Sequence, residues 1–215
     1  MNPPFPTPES VYLQVAQIVP CTEAEGPGRR FALWFQGCPL RCPGCCNPEM
    51  LSFDGGMRMT VADVARQIAQ MKQANQIEGI TLLGGEPLAH ATGAAVLARA
   101  AHSLDLTVMI FTGYTLEDAR RLPDPAVSEL LAETDILVDG PYLREQSETR
   151  RRWIGSANQR IHFLSSGRCP PDDPRWLHPN TLEIRLRGPE LTVNGFPARS
   201  AVGLWKRPGV VAPKE

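Results

Sequence analysis

The sequence predicts an α/β fold, a shortened or partial (β/α) barrel with a mainly parallel sheet and a small C-terminal β-hairpin appendage. Three observations predict it. Short apolar runs alternate with stretches of helical period between Val11 and Leu164, the pattern of βαβ units. Several of these runs stop at glycine, as at Gly84, Gly113 and Gly140, and α/β folds place ligands where parallel strands end. After Ser165 the texture changes to turn formers followed by period-two alternation, which reads as a hairpin.

The elements follow in order. Val11 to Val19 is a strand by its β-branched residues, Gly26 to Gly28 a turn, and Phe31 to Phe35 a short buried strand. Thr60 is a helix N-cap with Asp63 three residues on, and Val61, Val64, Ala65, Ile68 and Ala69 follow at helical spacing. Ile80 to Leu83 is a strand, Ala91 to Ser103 an alanine-rich helix and Leu106 to Phe111 a strand. Short helical pieces lie near Leu116 to Arg121 and Val127 to Glu133, and strands at Asp135 to Val138 and Arg160 to Leu164. Leu182 to Val193 alternates about a Gly-Pro break. The chain therefore divides into a lead-in at 1–10, a main domain at 11–164 and an extension at 165–215. The lead-in is expected to be disordered, and the last residues, RPGVVAPKE, to be frayed.

The bulk numbers exclude several classes. The 215 residues, 42% of them hydrophobic, suffice for one core. A net charge of −1 gives no field for nucleic acid. No apolar run approaches the ~18 residues of a membrane span, and MNPPFPTPES has no apolar signal core. A cytoplasmic protein is expected, without nucleic-acid or membrane partners. There, clustered cysteines read as metal ligands rather than disulfides.

Four of the six cysteines crowd into one loop, as Cys38-x3-Cys42-x2-Cys45 with Cys46 next door. Three thiolates on a short Gly- and Pro-rich loop can converge, whereas Cys46 leaves in another direction. A closed structural zinc site takes four ligands and would have to recruit Cys21, Cys169 or a histidine. A four-iron cluster on three cysteines leaves one iron open. Both readings stay open on spacing, and the count of three favours iron–sulfur. The second motif, Gly84-Gly85-Glu86-Pro87, ends a strand. Its glycines allow close approach to the backbone, and Glu86 offers an anion.

Together the two motifs resemble the radical S-adenosylmethionine superfamily. GPGRRFALWFQGCPLRCPGCCNPE, LLGGEPL, FTGYTLEDA, ILVDGPY and WIGSANQR, in that order, are similar to the glycyl-radical-enzyme activases, in particular the activating enzymes of anaerobic ribonucleoside-triphosphate reductase. The resemblance covers roughly Val11 to Leu164. It implies a [4Fe-4S] cluster on Cys38, Cys42 and Cys45, with S-adenosylmethionine on the open iron. It also implies a glycyl-radical enzyme as protein substrate, and a low-potential donor such as flavodoxin or ferredoxin. Gly84 and Gly85 would lie along the methionine part, Glu86 by its ammonium, and Gly44 and Cys46 near adenine. Thr112 and Gly113 would line the same mouth. Asp139 would meet the ribose or an ammonium, and Asn158 the nucleotide.

Three departures stand out. Gly44 and Cys46 flank the third cysteine where relatives carry an aromatic residue on one side; Trp34 or Phe35 could substitute, though both read first as core residues. The acid of the second motif is glutamate, where some activases have aspartate. The hairpin tail outruns a minimal activase. Arg150 to Trp153 reads as a solvated basic loop or as a docking patch for the partner. Two other functions remain in play: a radical enzyme acting on a small molecule, in the manner of the deazaguanine synthases, and a non-enzymatic metal-binding module.

Overall fold

The computed structural model describes residues 7–165, 170–188 and 190–196. Cys169, the first six residues and the RPGVVAPKE tail lie outside them. Residues 7–10 form a turn, closed by Ser10 N–H on the Thr7 carbonyl at 3.0 Å.

Seven strands form one sheet: β1 (Tyr12–Thr22), β2 (Arg30–Phe35), β3 (Met57–Thr60), β4 (Gly79–Gly84), β5 (Thr107–Phe111), β6 (Ile136–Asp139) and β7 (Arg160–Phe163). Their order is β3-β1-β2-β4-β5-β6-β7. The central four, β2, β4, β5 and β6, run parallel, while β1, β3 and β7 pair antiparallel at the flanks. The sheet is thus parallel only at its centre, where the cysteine loop and the glycine turn leave their strands. The strand β3 has no counterpart in the sequence reading, because the alternation of MRMT runs for only four residues. The hairpin β8 (Leu182–Arg187) with β9 (Glu190–Gly195) forms a separate two-stranded sheet.

Helices α1 (Val61–Asn75), α2 (Ala91–Ser103), α3 (Leu116–Ala119) and α4 (Pro125–Ala132) follow strands as the alternation requires. Thr60 caps α1, its Oγ1 accepting from Asp63 N–H at 3.0 Å. This satisfies one of the free N–H groups of the first turn. No helix among the described residues is long and apolar enough to cross a membrane.

The two faces of the sheet differ. Leu33, Phe35, Ile80, Leu82, Val108 and Ile110 pack with Val64, Ile68, Leu97 and Leu130 in the main core, under the helices. On the other face Ala32, Trp34, Leu83 and Met50 form one small cluster, and Met109, Val138, Trp153 and Ile154 another. This second face is covered by loops. The turn before β2 folds onto it, held by buried Arg30, whose Nε donates to Thr81 Oγ1 at 2.6 Å, and by Thr81 Oγ1 on the Glu25 carbonyl at 2.9 Å.

Leu82 is fully buried at the centre of the main core. Leu82→Ala should cost about 2–5 kcal/mol in urea unfolding, and Thr60→Ala about 1 kcal/mol.

Candidate active site

The cysteine loop leaves β2 at Phe35 and the GGEP turn leaves its neighbour β4 at Gly84. Two backbone bonds strap them together: Gly85 N–H donates to the Phe35 carbonyl at 2.8 Å, and Glu86 N–H to that of Gly37 at 2.9 Å. Both glycines are required. A Cβ on Gly85 would lie 2.3 Å from the Gly37 carbonyl oxygen, and Gly84 sits at φ +85° with its Cβ position 2.5 Å from that of Trp34. The far end of the loop is tied down as well, by Gly37 N–H on the Met50 carbonyl at 2.9 Å and Cys38 N–H on that of Leu51 at 3.2 Å.

Within the loop Cys38 is buried, Cys42 and Cys45 are half-buried, and none of the described cysteines is in a disulfide. Backbone N–H groups already face sulfur. Those of Leu40 and Arg41 approach Cys38, and that of Asn47 reaches Cys45 Sγ at 3.4 Å. Burial pushes the Cys38 thiol up against those two donors, and likewise that of Cys45. The neighbouring Cys38 and Cys42 add to the upward push on Cys45. No three His, Cys, Asp or Glu side chains among the described residues close on a point tightly enough for a single metal ion. The donor set of three neighbouring thiols under N–H groups fits the thiolate ligation of an iron–sulfur cluster, which spreads its ligands over separate irons. Cys46 is exposed and turns instead to the Tyr142 hydroxyl.

Glu86 lies under the strap, fully buried. Oε1 accepts from Leu88 N–H at 2.9 Å and Thr112 Oγ1 at 2.8 Å, and Oε2 from Gly113 N–H at 2.9 Å. Burial lifts its carboxyl to about 7 against these three donors. Gly113 in turn sits beneath the Leu40 side chain, 2.5 Å from where a Cβ would be. The structure therefore brings Cys38, Cys42, Cys45, Gly84, Gly85, Glu86, Thr112 and Gly113 to one end of β2, β4 and β5.

The remaining candidates are held differently. Asp139 is buried, with Arg160 Nη2 at 2.6 Å, His162 Nε2 at 2.9 Å and Leu116 N–H at 2.7 Å. Burial alone would raise its pKa, but these partners hold it below the usual carboxylate range. Asn158 donates to the Pro141 carbonyl at 2.8 Å, while its buried Oδ1 has no partner. Gly44 is exposed at φ +73°, facing Arg144. Phe35 is core, stacked on His90 at 4.9 Å. Trp34 is buried but lines the cavity above the loop.

That cavity holds about 880 Å³ and is lined by Cys45, Cys46, Trp34, Tyr142, Glu25 and Asn194, among others. Tyr142, Glu25 and Asn194 escape sequence reasoning: Tyr142 closes the ILVDGPY motif, but nothing in the sequence turns it to Cys46, and Glu25 and Asn194 stand in no motif. The basic stretch is split. Arg150 is exposed and Arg151 half-exposed, as a solvated loop would be. Trp153 is buried edge-on to Trp176 at 5.0 Å, and buried Arg152 donates to the Arg175 carbonyl at 2.9 Å. Neither of these two is an exposed docking anchor, because Trp176 of the extension covers Trp153.

Residues 24–162 match the family described as a 4Fe-4S single cluster domain. The chain belongs to that family. Its curated relatives include the anaerobic ribonucleoside-triphosphate reductase-activating protein of Vibrio cholerae, 35% identical over 151 residues, which are 68% of this chain and 95% of that protein. The protein of the same name from enterobacteria phage T4 is 32% identical over 155 residues, 70% of this chain and 94% of its own. A partial superposition on QueE from Escherichia coli has TM-score 0.39 and 17% identity over 48% of this chain and 54% of that one. The family match ends before the hairpin begins.

Two outcomes test this geometry. Gly85→Ala should break the strap and lower iron affinity roughly tenfold or more while far-UV circular dichroism is unchanged. Glu25 is buried, and burial lifts its carboxyl from 4.5 to about 7. Its unfolded form loses the proton first, so it reduces stability as pH rises from 4.5 to 7, by on the order of 3 kcal/mol. Urea titrations from pH 4.5 to 7.5 should show that slope reduced in Glu25→Gln.

Proposed function

We propose that this chain is a radical S-adenosylmethionine activase that installs a glycyl radical on a partner enzyme of the anaerobic ribonucleoside-triphosphate reductase type. The observation that carries the reading is the strap joining the three-cysteine loop to the GGEP turn at the ends of parallel strands, in a chain whose match uses up 95% of an activating protein's length. On this reading the sheet and its helices are a partial (β/α) barrel of radical S-adenosylmethionine type, open at its edges.

Cys38, Cys42 and Cys45 would hold a [4Fe-4S] cluster, with Leu40, Arg41 and Asn47 N–H groups offsetting thiolate charge. When bound, the cluster and S-adenosylmethionine supply a 5′-deoxyadenosyl radical able to take a hydrogen atom from a glycine α-carbon. Gly84 and Gly85 leave room for a ligand against the backbone, and the donors on Glu86 favour the ionised form that an ammonium would require. Gly44 and Cys46 border the adenine side, where Tyr142, held to Cys46, supplies the aromatic surface missing beside the third cysteine. Asp139 acts through its ion pair with Arg160 at the mouth, and the unpartnered Oδ1 of Asn158 is an acceptor for nucleotide. A low-potential donor such as flavodoxin or ferredoxin would deliver the electron.

A second reading, turnover of a small molecule, draws on the walled cavity and differs by needing no partner protein. Anaerobic reconstitution with iron, sulfide and a strong reductant tests both. Cys42→Ala should lose the cluster and the formation of 5′-deoxyadenosine, whereas Cys46→Ala should keep its iron. A glycyl radical should appear by electron paramagnetic resonance only when the reductase is added. Cluster loss in Cys46→Ala would overturn the ligand assignment, and turnover of a free small molecule would favour the second reading.

A further inference from the structure

We propose that the C-terminal hairpin with Phe196, which the family match does not reach, is the substrate-facing wall of this active site, against which a segment of the partner protein docks. The inference rests on the activase reading above.

The placement comes first. Val193, Asn194, Gly195 and Phe196 line the same cavity as Cys45 and Cys46. Phe196 stacks on Phe111 at the end of β5, with ring centroids 5.9 Å apart. The hairpin reaches this position without joining the main sheet.

The manner of docking is the second observation. Glu183, Arg185 and Asn194 share one face of the hairpin by register, and that face is the one turned to the turn before β2. Glu183 Oε1 accepts from Glu23 N–H at 2.8 Å, and Arg185 Nη2 donates to the Cys21 carbonyl at 2.8 Å. Asn194 Nδ2 reaches Thr22 Oγ1 at 3.0 Å and Glu25 Oε1 at 3.2 Å. The opposite face carries Ile184, Leu186 and Leu191, exposed at 61, 71 and 57%. A hairpin added for stability would bury its apolar face. This one spends its docking on hydrogen bonds, which fix position at small net gain. Asn194 is therefore a positioning residue that clamps the wall to Glu25, and Phe196 is its working surface; Val193, opposite Ile184 in the register, belongs to the outer face.

The cavity volume of about 880 Å³ lies near the top of the roughly 300–1,000 Å³ range of ligand sites, so the wall bounds a space large enough for a segment of the partner chain.

The test uses the full chain and an anaerobic ribonucleoside-triphosphate reductase. Phe196→Ala removes the ring of the wall, and Asn194→Ala releases its clamp. Phe196→Ala should raise the KM for the reductase at least about fivefold, while kcat at saturating reductase moves less than about twofold. The affinity of the chain for the reductase, measured by sedimentation, should fall by the same factor. Asn194→Ala should shift KM and affinity in the same direction, which keeps the proposal testable if the Phe196 variant does not fold. Leu186→Ser, on the outer face, should match the wild type in both. Wild-type KM and affinity in both wall variants would overturn the proposal alone, and so would a Leu186→Ser variant as impaired as Phe196→Ala. If the wild-type chain neither binds the reductase nor yields a glycyl radical on it, the activase reading falls and takes the wall with it.

Discussion

Two backbone hydrogen bonds hold the site together. The N–H groups of Gly85 and Glu86 donate to Phe35 and Gly37, so that a loop rich in cysteine and a turn rich in glycine, far apart in sequence, become one surface. Neither bond could form if position 85 carried a side chain. The parallel pairing of β2 with β4 puts both strand ends at the same level, Phe35 opposite Gly84, and that register is set by the core beneath. Leu33 and Phe35 from one strand and Ile80 and Leu82 from the other share the helix-facing core. A slip by one residue would turn them out to the loop-covered face.

Glu86 ties the glycine turn to the neighbouring strand. Its three donors come from the turn that follows it and from the end of β5, so it ties a third strand to the first two. Burial nevertheless lifts it to about 7. The site thus keeps a carboxyl poised near neutrality beneath the cysteine loop, where an arriving cation would favour its charged form.

Much of this was legible in the sequence, and the parts that were not share a cause. The helix at Ala91–Ser103 and the strands flanking it follow from local period and composition. The cysteine loop and GGEP could be read because each carries its chemistry within a few consecutive residues. Tyr142, Glu25 and Asn194 could not, since what they face is decided by tertiary packing. Trp153 reads as part of a solvated basic loop or of a docking patch, but Trp176 and Asn180 cover it, the latter accepting from its N–H at 2.8 Å. The alternation of the hairpin was visible. That its polar side would dock could not be seen, because period-two patterning marks two faces without saying which one is buried.

The central claim is a cluster held by three cysteines with one iron left for S-adenosylmethionine. Mössbauer spectroscopy of the chain, reconstituted without oxygen and compared before and after addition of S-adenosylmethionine, tests it most directly. The account predicts a four-iron cube in which a single iron changes its environment when the nucleotide binds. A cube whose irons all ignore the nucleotide, or a chain that takes up zinc and no iron, would contradict it.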